Sequence, residues 1–356
     1  LQLRPELAAT GIGSLPFIDV AEAVNLVLET FPEIPHWPQL PKRGRMEHFV
    51  YQNLTPLVEL GLLKVTPEKS WFDPGLPEFT DQITDFYSRY LALEAGDQEA
   101  LEFFRLPREA APGFYGLVEA VAGQGQKIKY LKGQIAGPLS VGLNLTDAAQ
   151  RPAYYDPQLR DLVVKTLASQ ASWQVKHLSA VKSPALVFVD DPAVYSLGVS
   201  TYISLERRQI ISDLQEIVDA IHLAGGLAGA HSCAGVDWSL FFESGFDIVA
   251  FDAYAFFPSL LGYIDQIRGF LEQGRVLAWG IVPTSYKVME ETTQSLTALL
   301  KEQTGLLQSK GISAELLHRQ MLLTPSCGTG TLSFEEARRA YHLTAALSRL
   351  LRGETK

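Results

Sequence analysis

Apolar residues in this chain gather into eight short runs, most of them followed by a longer segment in which they recur at helical spacing. The first run covers 8–14 and precedes a helical pattern over 19–28. The second is short and proline-rich, over 34–39. A long stretch, 42–126, shows no clean alternation; within it 79–93 reads as an aromatic helix, and 62–65 and 101–106 read as extended. Regularity returns with apolar runs at 128–135, 185–190, 226–231, 248–252, 276–281 and 321–324. Helices are predicted over 156–182, 205–224, just after Asp237, over 289–309 and over 333–351. The last opens on Ser333-Phe-Glu-Glu336, a capping-box pattern.

Continuous apolar strands alternating with helices predict a parallel sheet covered on both faces. Eight such units predict one α/β domain over 1–356, a single (β/α)8 TIM barrel, with roughly 42–126 as an elaboration after the second strand. Hydrophobic content of 47% and charged content of 20% mark a globular protein with a sizeable core. A formal net charge of −10 argues against nucleic acid as a partner. No apolar stretch reaches membrane-spanning length, and 1–5 lacks a signal-peptide pattern. Two cysteines are too few for a disulfide scaffold, so reduced thiols and a cytoplasmic location are expected.

Chemistry begins where the apolar runs stop. Leu227-Ala-Gly-Ala-His231-Ser-Cys233 ends in a His and a Cys two apart, Met321-Leu-Leu-Thr-Pro-Ser-Cys327 ends in the second cysteine, and 247–252 ends in Asp252. Ser14, Asp190 and Asp191 close two further runs. In a barrel the C-terminal ends of the strands share one mouth, so these side chains are expected to converge. Alternation along an extended segment puts His231 and Cys233 on the same face. Zinc prefers thiolate and imidazole in tetrahedral geometry, with carboxylate as a further ligand, which makes His231, Cys233, Cys327 and Asp252 the candidate metal ligands. Two thiolates suit a metal that holds a substrate thiol ionised better than one that activates water. Alkyl transfer to a thiol is therefore expected over hydrolysis.

These residues resemble the catalytic barrel of the cobalamin-independent methionine synthase family, in the uroporphyrinogen decarboxylase/methionine synthase superfamily. Thr10-Gly-Ile12-Gly13-Ser14-Leu-Pro16 is similar to the family's Ile-Gly-Ser-Phe-Pro motif, which holds homocysteine. Met46-Glu47-His48-Phe49 resembles the segment whose Glu grips the substrate amino group, and Gly137-Pro138 resembles a Thr-Gly-Pro turn. Asp190, in Val189-Asp190-Asp191-Pro192-Ala193, resembles the first Asp of Asp-Glu-Pro-Ala, also a homocysteine contact. His231-Ser-Cys233 and Pro325-Ser-Cys327-Gly328 are similar to the zinc-binding segments, and Asp252 stands where the family has a ligating Glu. The resemblance thus implies substrate contacts at Ile12, Gly13, Ser14, Glu47 and Asp190.

The departures narrow what is implied. The chain has the length of the catalytic half of a two-barrel enzyme. Asn144 stands where the family has a folate-packing Trp, Ser196 where it has a folate-binding Glu, and 280–286 lacks the family's proton-donor His. This resembles the short core methionine synthases, which methylate homocysteine to methionine and take the methyl group from methylcobalamin on a corrinoid protein rather than from methyltetrahydrofolate. Cob(I)alamin leaves without a proton, whereas a folate amine needs one. The rival readings are a zinc methyltransferase for another thiol such as coenzyme M, a zinc hydrolase, a metal-free decarboxylase of the same fold, and a non-catalytic corrinoid-binding protein.

Overall fold

The computed structural model describes residues 3–66, 68–122, 127–202 and 204–354. Positions 67 and 123–126 of the expected elaboration lie outside the described residues. Nine strands occur among the described residues: β1 (Leu63–Val65), β2 (Ser70–Phe72), β3 (Lys132–Ala136), β4 (Thr146–Asp147), β5 (Leu186–Asp190), β6 (Leu227–Ser232), β7 (Ile248–Phe251), β8 (Val276–Val282) and β9 (Met321–Pro325). Six of them form one parallel sheet in the order β3-β5-β6-β7-β8-β9. The mixed α/β character and the parallel sheet follow the sequence expectation.

The first two predicted strands take a looser form. Segment 8–14 lies parallel to β9 through an Ala9–Leu323 bridge and to segment 34–39 through a Ser14–Gln39 bridge, and 34–39 lies parallel to β3 through His36–Lys132. Backbone bonds back these bridges: Thr10 N–H to Leu323 O at 3.0 Å, Leu15 N–H to Gln39 O at 2.8 Å and Trp37 N–H to Lys132 O at 3.2 Å. The prolines at 35 and 38 have no N–H to donate to a ladder, which limits this part of the sheet to isolated pairings.

Both faces of the sheet are dry, which explains the continuous apolar runs. Leu186, Phe188, Leu227, Ile248, Ala250 and Leu322 cluster on one face with Ala8 and Ile34 from the flanking segments. The intervening residues, among them Val187, Ala228, Val249, Leu277 and Leu323, join the large core under the helices. The longest helix, Pro157–Val181, starts on Asp156, whose side chain accepts from the Gln158 and Leu159 amides. The terminal helix, Phe334–Leu351, carries the capping box that its sequence predicts. No helix among the described residues is long and apolar enough to cross a membrane.

Within the elaboration, β1 pairs antiparallel with β2, and β2 pairs parallel with β4, the short strand that follows the helix Pro138–Asn144 after β3. The helix Phe79–Glu94 forms where the aromatic spacing predicts it. The extended reading of 101–106 is corrected: Gln98–Phe103 is helical, because the Asp97 carboxylate accepts from the Glu99 and Ala100 amides and starts the turn.

Close packing decides one glycine next to the site. A Cβ at Gly229 would sit 2.6 Å from the Phe188 ring on the neighbouring strand. Gly229→Ala is expected to cost about 1–3 kcal/mol by overpacking, whereas Gly269→Ala, with open space around its Cβ position, is expected to be neutral or mildly stabilising. Chemical denaturation of the two variants checks the contrast; equal stabilities would mean that the Phe188 ring yields freely.

Candidate metal and substrate site

The C-terminal ends of β5, β6, β7 and β9 present Asp190, His231, Asp252 and Cys327 respectively, with Cys233 just beyond β6. The ligand atoms of His231, Cys233 and Cys327 all lie within 4.8 Å of one another. His231 is 3% exposed and neither ring nitrogen has a hydrogen-bond partner of normal geometry. Two buried nitrogens left unsatisfied are costly, and a metal ion would satisfy one of them. The donor set of one imidazole and two sulfurs fits zinc and leaves room for a further ligand.

The two thiols share their protons unequally. A hydrogen bond from Cys327 holds Cys233 toward the thiolate, with His231 helping against burial, and the same pairing pushes the Cys327 thiol up. Burial pulls the His231 imidazole toward neutral, but the Cys233 sulfur and the Asp190 carboxylate outweigh it and raise its pKa. The cluster is thus already polarised toward a Cys233 thiolate, the charge that a bound cation would meet.

Asp252 stands outside this trio. It is the N-cap of the helix Ala253–Leu260, its Oδ1 accepting the Ala255 amide at 2.8 Å. Burial pushes its carboxyl up to about 6, with His231 pulling the other way.

The adjacent aspartates after β5 have opposite fates. Asp191 is spent on structure: Oδ1 accepts from the Ser140 amide at 2.8 Å and from the Ser140 hydroxyl at 2.6 Å, and Oδ2 accepts from the Leu139 amide at 3.0 Å. A Cβ at Gly137 would fall 2.1 Å from Asp191 Cβ, so the Gly137-Pro138 turn is the seat of this clamp. Asp190 Oδ1 is buried with no partner. Burial raises its carboxyl to about 6, opposed by His231 and Lys132.

Ser14 faces the Cys327 segment. Its carbonyl accepts from the Thr329 amide at 2.9 Å and the Thr329 hydroxyl at 3.0 Å, and its Oγ accepts from the Gly330 amide at 3.2 Å. A Cβ at Gly328 would lie 2.2 Å from Ser14 Oγ. The Ile12 carbonyl accepts from Lys132 Nζ at 2.5 Å, and Gly13 leaves space for the Gln134 amide, which its Cβ would meet at 2.9 Å. Glu47 belongs to the elaboration, in the short turn Arg45–Glu47; its contacts run to Arg43, at 2.6 Å, rather than to the trio, and its Oε2 has no partner.

Lys132 and Gln134 escape a reading by strand ends because they lie inside β3. Their signal was a Lys and a Gln two apart within the run 128–135, hence on one face. Lys132 is fully buried, 4.5 Å from the centre of the Phe188 ring. Burial lowers its pKa to about 8, with Asp190 opposing. Gln134 donates to the Trp37 carbonyl at 3.1 Å while its own Oε1 goes unpartnered.

Among solved structures, a methyltransferase from Methanosarcina mazei is similar to this chain with a TM-score of 0.53 and 13% identity, over 96% of this chain and 93% of that one. A B12-independent methionine synthase from Shewanella sp. W3-18-1, in complex with selenomethionine, has a TM-score of 0.46 and 15% identity, over 67% of each chain. The Methanosarcina mazei likeness, at its identity, is one of fold. No family model and no curated protein matches the chain.

Burial raises Glu47 to about 6, against the pull of Arg43. A folded pKa above the ordinary 4.5 means that this group's contribution is complete below pH 4.5 and is lost as pH rises through 6. The loss is on the order of 2 kcal/mol. Glu47→Gln is expected to flatten the stability profile across that window, read by urea unfolding on either side of it; an unchanged slope would show that Glu47 titrates as a solvated carboxylate.

Proposed function

We propose that this protein is a zinc-dependent thiol methyltransferase that converts homocysteine to methionine, with methylcobalamin or a methylated corrinoid protein as donor. The observation that carries the reading is the convergence of His231, Cys233 and Cys327, one imidazole and two sulfurs drawn from two separate strands. The single parallel sheet, with its edges approached by segments 8–14 and 34–39 through three parallel bridges, supports an eight-stranded barrel as the architecture that gathers them. The fold likeness to a methyltransferase is compatible with it.

In this reading His231, Cys233 and Cys327 hold zinc, and Asp252 is the remaining candidate ligand or a partner to one. Zinc at such a site lowers the pKa of a substrate thiol so that the thiolate is available at neutral pH. The chain's own residues hold the amino-acid end. Asp190 brings a carboxylate oxygen that has no protein partner, suited to a substrate ammonium. Ser14 brings a hydroxyl fixed beside the Cys327 segment, and Ile12 and Gly13 form the backbone wall next to it. Glu47 brings a second acceptor from the elaboration, its Oε2 free of protein partners. The leaving group sets the donor. No His occurs in 280–286 to protonate a folate amine, and a corrinoid leaves without that proton.

Zinc content of the purified protein, followed by methionine formation from homocysteine with methylcobalamin and with methyltetrahydrofolate, tests both halves. One zinc per chain and turnover with the corrinoid alone are expected, and Cys327→Ser should weaken metal binding about tenfold or more. A metal-free wild type with full turnover would end the zinc reading. Turnover with the folate alone would end the donor reading and leave the zinc site standing.

A further inference from the structure

The Gln134 side chain is enclosed beside the site with half of its amide unpaired. Gln134 pairs in register with Phe188, and Ala136, two residues on, pairs with Asp190. Phe188 belongs to the apolar cluster on one face of the sheet. Strand side chains alternate, so Gln134 and Asp190 share that face as diagonal neighbours on adjacent strands. His231, paired with Asp190, lies on it too. Gln134 therefore sits one pleat before the level at which Asp190 and His231 stand.

The surroundings fix which way the amide turns. Its Nε2 lies 3.1 Å from the Trp37 carbonyl, which can only accept, so the NH2 group faces Trp37 and Oε1 faces away from it. His36 Nδ1 donates to the same carbonyl at 2.9 Å. Gly13 packs against the amide from segment 8–14; a Cβ there would meet Gln134 Cδ at 2.9 Å and Nε2 at 3.1 Å. Gln134 is 3% exposed, and its Oε1 has no donor among the described residues. Asp190 Oδ1 is in the same condition. Enclosed acceptors without donors are destabilising and call for a donor brought from outside. Two such oxygens on neighbouring side chains suit a group that only donates, which is an ammonium. Asp190 supplies the opposite charge, and a neutral amide adds a second acceptor without burying a second carboxylate.

We propose that Gln134 is a specificity-determining residue: its Oε1 takes a hydrogen bond from the ammonium of an amino-acid thiol, next to the Asp190 carboxylate. This rests on the reading of the protein as a homocysteine methyltransferase. It adds the group that separates an α-amino thiol from a thiol acid lacking the amine. A site built to accept a substrate N–H rejects the analogue without it, because the acceptor is then left unpaired.

The test uses full-length, zinc-loaded protein without any methyl donor. Binding of L-homocysteine and of 4-mercaptobutanoate, its analogue without the amine, is measured by calorimetry, and thermal unfolding is followed without either thiol. Wild type is expected to bind homocysteine about a hundredfold more tightly than the analogue. Gln134→Met and Gln134→Leu are each expected to narrow that ratio about tenfold, with analogue affinity and zinc content unchanged. Both variants should melt no lower than wild type, since they remove an unpartnered acceptor and the Trp37 carbonyl keeps its His36 donor. A ratio unchanged in both variants overturns the proposal and leaves the homocysteine reading intact. Equal weakening of both thiols, or melting well below wild type, gives the amide a structural role and overturns it as well. A wild type with no preference between the two thiols overturns the amine pocket, Gln134 included, and leaves the zinc reading standing. A wild type that binds neither thiol overturns the proposed function, and this inference with it.

Discussion

Charge buried at the end of an apolar sheet is the constraint on which the rest of this molecule depends. Lys132 and His231 are buried and Asp190 is half-buried with its Oδ1 enclosed, beside two thiols and above a cluster of Leu, Ile, Phe and Ala side chains. None of them could be ionised there alone, because desolvation would neutralise each in turn. They are tolerable as a set: Asp190 lies between the influence of Lys132 and His231, and His231 between Asp190 and Cys233. The unpartnered atoms that remain, on Asp190 and His231, are the groups in the set left over for a ligand.

Geometry follows from how little space surrounds that set. Glycine is required wherever a side chain from a neighbouring strand crosses the backbone, at Gly11 against His36, Gly13 against Gln134, Gly229 against Phe188 and Gly328 against Ser14. Each absent Cβ marks a close approach between two segments at or beside the candidate site. Gln174 extends the same logic to the helical layer. It accepts from the Trp37 indole at 2.9 Å and donates to the Gln134 carbonyl at 3.0 Å, in space that a Cβ at Gly133 would occupy.

How much of this was legible in the sequence depended on whether a signal was local. The six central strands and their helices followed from apolar runs and caps, because each run is buried on both faces and each cap acts within four residues. The convergence of His231 with both cysteines was legible because a parallel sheet brings strand ends to one side. The helix at Gln98–Phe103 was misread since its six residues are too few to show a period, and Asp97 alone starts it. Asp190 and Asp191 look alike in sequence; only the approach of the Gly137–Ser140 turn separates the clamp from the open carboxylate. The His36–Tyr341 contact joins residues 305 positions apart and leaves no pattern at either end except Gly11.

The sparse bridging around segments 8–14 and 34–39 has a kinetic meaning. A six-stranded ladder opens as a cooperative unit, whereas segments tied by single bridges open locally and at lower free energy. This seam contains Ile12, Gly13 and Ser14, so the backbone beside the Cys327 segment is also the part of the sheet easiest to part. Local opening along it leaves folded the strand that carries His231 and the strand that leads to Cys327.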